Sequence, residues 1–178
     1  RFLHWELMFA DRFLDHGGFD LVLGNPPWIK LRWDAGGFLG DYEPQYVIRG
    51  FSASQLTKLI QKTLDHYGVH KYFFQAFEKS EGTQNFLNAR CNYPMLIGSQ
   101  SNLYKCFLPQ SWMICNTTGI IGFLHPEGVY DDTKGRRLRK NMYIRLCYHF
   151  QFQNQYLYFP IAHRKRFSIN IYQSNYTN

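Results

Sequence analysis

The chain contains no run near the ~18 consecutive apolar residues that a membrane-spanning helix requires, so no such helix is expected. Its start, Arg1-Phe2-Leu3-His4-Trp5-Glu6, lacks the charged segment and apolar stretch of a signal peptide. A cytoplasmic location is expected. Cysteine is sparse: Cys91, Cys106, Cys115 and Cys147 form no Cys-x-x-Cys pair, and no histidine stands at zinc-ligand spacing from them. They read as reduced, mostly buried thiols, and no metal centre is expected. His66 and His70 are four apart, but Gly68 lies between them and no glutamate follows His66, so the zinc-protease pattern fails. Without secretion, Asn116-Thr117-Thr118 and Asn175-Tyr176-Thr177 are chance glycosylation matches. There is no internal repeat, no low-complexity segment and no Gly-x-Gly loop following a strand.

What the chain has in excess is aromatic and basic. Of 178 residues, 45% are apolar and 19% aromatic, with 16 Phe and 13 Tyr, enough to build a core and to exclude disorder. The formal net charge of +7 is compatible with a nucleic-acid partner or another anionic surface. The length fits one domain or part of a larger one. The chain opens without Met in the middle of an element with apolar Phe2, Leu3, Trp5 and Leu7, as a fragment of a longer protein would.

Residues 2–16 end at the turn signal Gly17-Gly18. Phe19–Gly24 reads as a strand buried on both faces, and Pro26-Pro27 must end it, because proline cannot donate to a ladder. Residues 29–53 read as a long ordered loop. Residues 54–79 carry helical spacing, with Ser54 as N-cap and a break at Gly68, and Phe73, Phe74 and Phe77 as core. Residues 80–100 are loop-like. A helix is expected from about Ser101 to Ile114, kinked near Pro109. Residues 120–124 form a second buried strand closed by His125-Pro126, followed by a basic helix over 133–146. Strands at 147–152 and 167–172 flank a loop around Phe159-Pro160. This order predicts an α/β fold, with the loops after residues 24 and 124 facing one crevice at the carboxyl ends of the strands.

Asn25-Pro26-Pro27-Trp28 carries the chemistry. The amino group of adenine is a poor nucleophile because its lone pair is delocalised into the ring. Acceptors on both N–H groups, the Asn25 side-chain oxygen and the Pro26 carbonyl, free that lone pair. Prolines hold the carbonyl rigidly, and the Trp28 indole offers a stacking surface. Catalysis of this kind comes from positioning and preorganised dipoles. As an alternative the segment is an ordinary strand-ending turn. Lys134, Arg136, Arg137, Arg139, Lys140 and Arg145 form a basic run, and Arg164-Lys165-Arg166 a second cluster. These read as phosphate contacts or as a solvated face, with Asp131-Asp132 favouring a helix start.

Phe19-Asp20-Leu21-Val22-Leu23-Gly24-Asn25-Pro26-Pro27-Trp28 resembles the catalytic motif of amino-group DNA methyltransferases, Asn/Asp-Pro-Pro-aromatic. Ser101-Asn102-Leu103-Tyr104-Lys105-Cys106-Phe107, the segment Gly119–Pro126, and Phe159-Pro160 with Phe167–Tyr172 resemble later family motifs in order. The resemblance is to the methylase domains of adenine-specific restriction-modification and phage-defence enzymes. It implies a partial class I S-adenosylmethionine-dependent methyltransferase sheet, Rossmann-like, spanning 1–178 as the catalytic half, with a helical insertion at 29–100. It implies methyl transfer from S-adenosylmethionine to the amino group of a flipped adenine in double-stranded DNA. Asn25, Pro26, Pro27 and Trp28 would be catalytic, Trp28 and Phe159 would stack on the base, and Phe107 would lie near the cofactor. The glycine-rich loop and acidic residue that hold the cofactor in this family have no counterpart here, nor does a target-recognition domain. The isolated chain is therefore expected to be inactive, needing the missing N-terminal cofactor half and C-terminal recognition domain, with self-association open. The rival expectation is a non-catalytic nucleic-acid-binding or partner-completing remnant.

Overall fold

The computed structural model describes residues 3–99 and 102–175. Two short helices, α1 (Trp5–Met8) and α2 (Ala10–His16), lead to β1 (Phe19–Gly24). The turn needs its glycines. Gly17 caps α2 with φ +72°, and at Gly18, with φ +133°, a Cβ would meet the Ile114 carbonyl oxygen at 2.5 Å. After a separate helical unit, α7 (Leu103–Ile114) leads into the long strand β2 (Cys115–Pro126). Next come α8 (Gly128–Asp131), α9 (Arg136–Tyr143), β3 (Leu146–Gln153) and β4 (Arg166–Gln173).

The fold is α/β with a four-stranded mixed sheet in the order β1-β2-β4-β3. β1 and β2 are parallel; β4 runs antiparallel to both β2 and β3. β1 is therefore an edge strand, and the expectation of burial on both faces fails there: Leu21 is 55% exposed and Leu23 68%. Leu21 and Leu23 stand two apart, on the same face as the exposed Ile120.

The two faces of the sheet differ sharply. On one, Ile121, Phe123, His125, Ser168, Asn170 and Tyr172 are buried. Tyr104 and Trp112 of α7 and Tyr130 of α8 pack on them. Leu138 and Met142 of α9 are also fully buried. On the other face, the register lines up Leu21 with Ile120, Leu124 with Ile169, and Ile169 with Phe150. Leu21, Ile120, Ile169, Tyr148, Phe150 and Phe152 are exposed. The central strand β4 thus buries Ser168 and Asn170 while leaving Ile169 exposed and Ile171 only half-buried.

Residues 31–86 form a second compact unit holding α3 (Ala35–Gly40), α4 (Gln45–Ile48), α5 (Ala53–Tyr67) and most of α6 (His70–Asn88). Its core is Leu39, Tyr46, Leu64, Val69 and Phe73, edged by Trp33, Phe38 and Phe51. Helices therefore occupy part of the expected loop at 29–53, and α6 runs well into 80–100. The α5 N-cap is Ser52, not Ser54: Ser52 and Gln55 form a capping box. Gly68 ends α5 in the left-handed conformation. Phe73 is buried, whereas Phe74 and Phe77 are exposed. Ser101, the expected start of α7, lies outside the described residues, as do Phe2 of the first segment, Gln100, and Tyr176 and Thr177 of the second sequon. The α7 helix begins at Leu103 and continues through Pro109. Two of the four thiols, Cys91 and Cys147, are exposed.

Leu138→Ala is expected to lower unfolding free energy by about 2–5 kcal/mol through loss of a fully buried side chain. Leu21→Thr, on the open face, should change it by no more than about 0.5 kcal/mol. Urea denaturation followed by circular dichroism checks both.

Candidate functional site

Strand direction gathers the site. β1, β2 and β3 end, and β4 begins, at one edge of the sheet. Asn25-Pro26-Pro27-Trp28, Pro126-Glu127, the β3–β4 loop and Phe167 therefore share that edge. The Trp28 ring lies 4.7 Å from Phe159 and 6.0 Å from Phe167, centroid to centroid, and Phe159 meets Phe167 edge-on at 5.0 Å. Trp28 Nε1–H donates to the Leu124 carbonyl at 3.4 Å. The next residue, Ile29, accepts from the Leu103 N–H at 3.0 Å, tying the loop to the start of α7. Pro26 is buried, while Asn25 and Pro27 are exposed.

Phe159 is held by Asn154, which is fully buried. The Asn154 Nδ2 donates to the Phe159 and Ile161 carbonyls at 3.0 and 2.8 Å, and its Oδ1 accepts from the Phe159 N–H at 3.1 Å. One carboxamide thus fixes the return of a loop that has no regular secondary structure of its own. Nothing in the strand pattern of the sequence singles out Asn154, nor Phe167 as the third ring.

Two concavities flank the strand tips. A cleft of about 420 Å³ lies along β1, lined by Leu23, Gly24, Asn25, Pro26, Pro27 and Phe107 among others. That volume is within the range of small-molecule sites. Its walls are mainly apolar, with Asn25, Gln110 and Ser111 as polar groups and no carboxylate. These residues could flank only the methyl and methylene groups of S-adenosylmethionine, whose sulfur is a sulfonium cation. They offer no acidic partner for its ammonium group or ribose hydroxyls. The second is a groove of about 1000 Å³ on the other side of Trp28, lined by Lys30, Asn102, Lys105, Glu127, Asp132, Arg164, Lys165 and Arg166 among others. Asn102 Oδ1, buried in its wall, has no hydrogen-bond partner.

At the groove, Lys105 Nζ donates to Asp132 Oδ2 at 2.5 Å and to Ser99 Oγ at 2.9 Å. Burial opposes ionisation of Asp132. The hydrogen bonds from Lys105 and Ser99, the Lys105 charge and the Lys134 N–H outweigh it and hold its pKa down to about 2. Beneath Pro126 lies a polar network. Tyr172 OH and Asn170 Nδ2 meet His125 Nε2 at 2.9 and 3.0 Å, and His125 Nδ1 lies 3.0 Å from the Pro126 carbonyl. The arrangement suits a neutral imidazole donating from Nδ1. Burial pushes the His125 pKa down to about 4, against the opposing pull of the Pro126 carbonyl and Glu127. Tyr130 OH donates to Asn170 Oδ1 at 2.7 Å. Burial raises the Cys106 and Cys115 pKa values to about 11, so neither is a thiolate nucleophile at neutral pH.

Of the expected residues, the structure brings Asn25, Pro26, Pro27 and Phe107 to one cleft, and Trp28, Phe159, Arg164, Lys165 and Arg166 to the same strand edge. Lys134, Arg136, Arg137 and Lys140 are exposed but do not line the groove. Two members of the basic run are engaged within the fold. Arg139 is half-buried and donates to the Asp132 carbonyl. Arg145 is buried, stacks over Trp112 at 4.8 Å and donates to the Ser174 carbonyl. Asp131-Asp132 do not start the basic helix: Asp132 is bound to Lys105, and α9 opens at Arg136. No group of metal-ligating side chains occurs among the described residues, and none of their helices is long and apolar enough to cross a membrane. No family model, curated protein or solved structure matches the chain.

The depressed Asp132 pKa means that its ion pair stabilises the fold fully above the unfolded value of 3.8 and ceases to do so as pH falls towards about 2. The difference in urea midpoint between wild type and Asp132→Asn should be constant above about pH 5 and vanish near pH 2.

Proposed function

We propose that the chain is the catalytic half of an adenine-specific DNA methyltransferase. The observation that carries the reading is the contact of Trp28 with Phe159, residues remote in sequence, at the strand tips beside Asn25-Pro26-Pro27. In doubly wound α/β sheets, ligands bind at the carboxyl ends of the strands. In this reading Asn25 Oδ1 and the Pro26 carbonyl accept the two N–H groups of adenine, raising the nucleophilicity of the nitrogen. Trp28 and Phe159 take the base between them. Their rings must part from 4.7 Å to about 7 Å, twice an ordinary carbon contact, to do so. A base reaches this site only when flipped from the duplex. Leu23, Pro26, Pro27 and Phe107 form one wall for S-adenosylmethionine. When bound, that group supplies the electrophilic methyl carbon.

The open sheet supports the catalytic-half reading. Sheets with parallel strands are normally covered on both faces. Here β1 is an edge strand, and Leu21, Ile120, Ile169, Tyr148 and Phe150 leave one face bare. A cofactor-binding half supplies strands beside β1, helices over that face and the carboxylates that the cleft lacks. A target-recognition domain completes contact with double-stranded DNA. The same bare face also favours the rival reading of a remnant that needs a partner, including a second copy.

Alone, the chain is expected to bind S-adenosylmethionine too weakly for calorimetric detection. In the longer enzyme that this reading implies, Asn25→Ala should reduce adenine methylation by at least ~10²-fold while leaving DNA affinity unchanged. Methylation at the wild-type rate in that variant contradicts the assignment.

A further inference from the structure

The β3–β4 loop carries a feature that base binding alone does not use. Between Asn154 and Phe159, Tyr156, Leu157 and Tyr158 are 75%, 64% and 72% exposed. Leu157 stands at φ +54°, the single non-glycine residue with positive φ among those described. A branched aliphatic residue adopts that conformation at a cost. Here it is held: the Leu157 N–H donates to the Asn154 carbonyl at 3.0 Å, while the Asn154 side chain fixes Phe159 and Ile161. The loop therefore turns Phe159 inward to Trp28 and directs three apolar or aromatic side chains to solvent. Its returning limb is Arg164-Lys165-Arg166, exposed and lining the groove beside Trp28.

Resting on the methyltransferase reading, we infer that Tyr156-Leu157-Tyr158 is a wedge that enters the base stack of duplex DNA and fills the gap left by the flipped adenine. Apolar wedges flanked by cationic side chains are a recurrent means of unstacking a duplex. Anchoring supports this role. Asn154 links wedge and stacking ring in one rigid turn, so insertion of Leu157 and capture of the base by Phe159 belong to one docking event. The basic limb meets the phosphates on either side.

A preformed gap tests the wedge without knowledge of the target sequence. Fluorescence anisotropy with the 178-residue chain compares an intact duplex with one of the same sequence carrying a single abasic site. Wild type should prefer the abasic duplex by ~5-fold or more. Leu157→Gly, which suits φ +54° and removes no buried contact, should erase the preference. Arg166→Ala should weaken both duplexes alike. Duplex binding with no preference, or with a preference that survives Leu157→Gly, overturns the wedge and leaves the methyltransferase reading intact. No binding to any duplex also overturns the wedge, and leaves the methyltransferase reading, which gives part of the duplex contact to a recognition domain, to the Asn25→Ala test. Leu157-dependent binding to phosphatidylserine vesicles in place of DNA overturns the wedge in favour of a lipid surface.

Discussion

The candidate site depends on the clamping of one indole. Trp28 is the first large side chain after two prolines, and its ring is fixed from three sides. The Leu124 carbonyl holds its N–H, and Phe159 and Phe167 pack on it. This joins the tips of β1 and β2, the start of β4 and the β3–β4 loop. Each ring contact of this kind contributes about 0.5–1.5 kcal/mol beyond area burial, so the cluster sets loop positions that hydrogen bonding leaves open. Without the clamp, the loop that follows β1 loses its ties to the end of β2 and to the β3–β4 loop.

The second constraint is the division of the sheet into two unlike faces. The covered face contains a satisfied polar network of His125, Asn170, Tyr172, Tyr130 and Ser168. Buried polar groups demand specific partners, so this network fixes the register of β2 against β4 and, through His125, the Pro126 carbonyl at the site edge. The other face exposes Leu21, Ile120, Ile169, Tyr148, Phe150 and Phe152. An apolar sheet face beside an unpaired edge marks an interaction surface. The same edge bears Leu23 and leads into Asn25, so whatever covers it also adjoins the candidate reaction centre.

Much of the α/β order was legible in the sequence, because β1 and the second half of β2 are short apolar runs bounded by Gly and Pro, and β4 alternates apolar and polar residues. That Trp28 and Phe159 face the same strand edge was expected from motif order. Edge position was not legible: Phe19–Gly24 has the composition of a central strand, and only pairing shows which neighbour is absent. The inversion of β4 was hidden for a related reason. Phe167-Ser168-Ile169-Asn170 alternates as a strand should, but its polar phase faces inward because His125 and Tyr130 supply partners from other elements. Charge runs misled where packing intervened. Arg139 and Arg145 look like their neighbours in sequence, yet are engaged by carbonyls and a ring that the sequence does not place.

The most direct test is the response of Trp28 to adenine itself. The protein has four tryptophans, Trp5, Trp28, Trp33 and Trp112, so a proton–nitrogen correlation spectrum carries four indole signals, with Trp28 assigned by Trp28→Phe. Titration with deoxyadenosine monophosphate should shift the Trp28 indole signal, and thymidine monophosphate, which lacks an exocyclic amino group, should not. Asn25→Ala should reduce the difference between the two nucleotides. A Trp28 signal that stays still, or that moves equally with both, contradicts an adenine site at the strand tips.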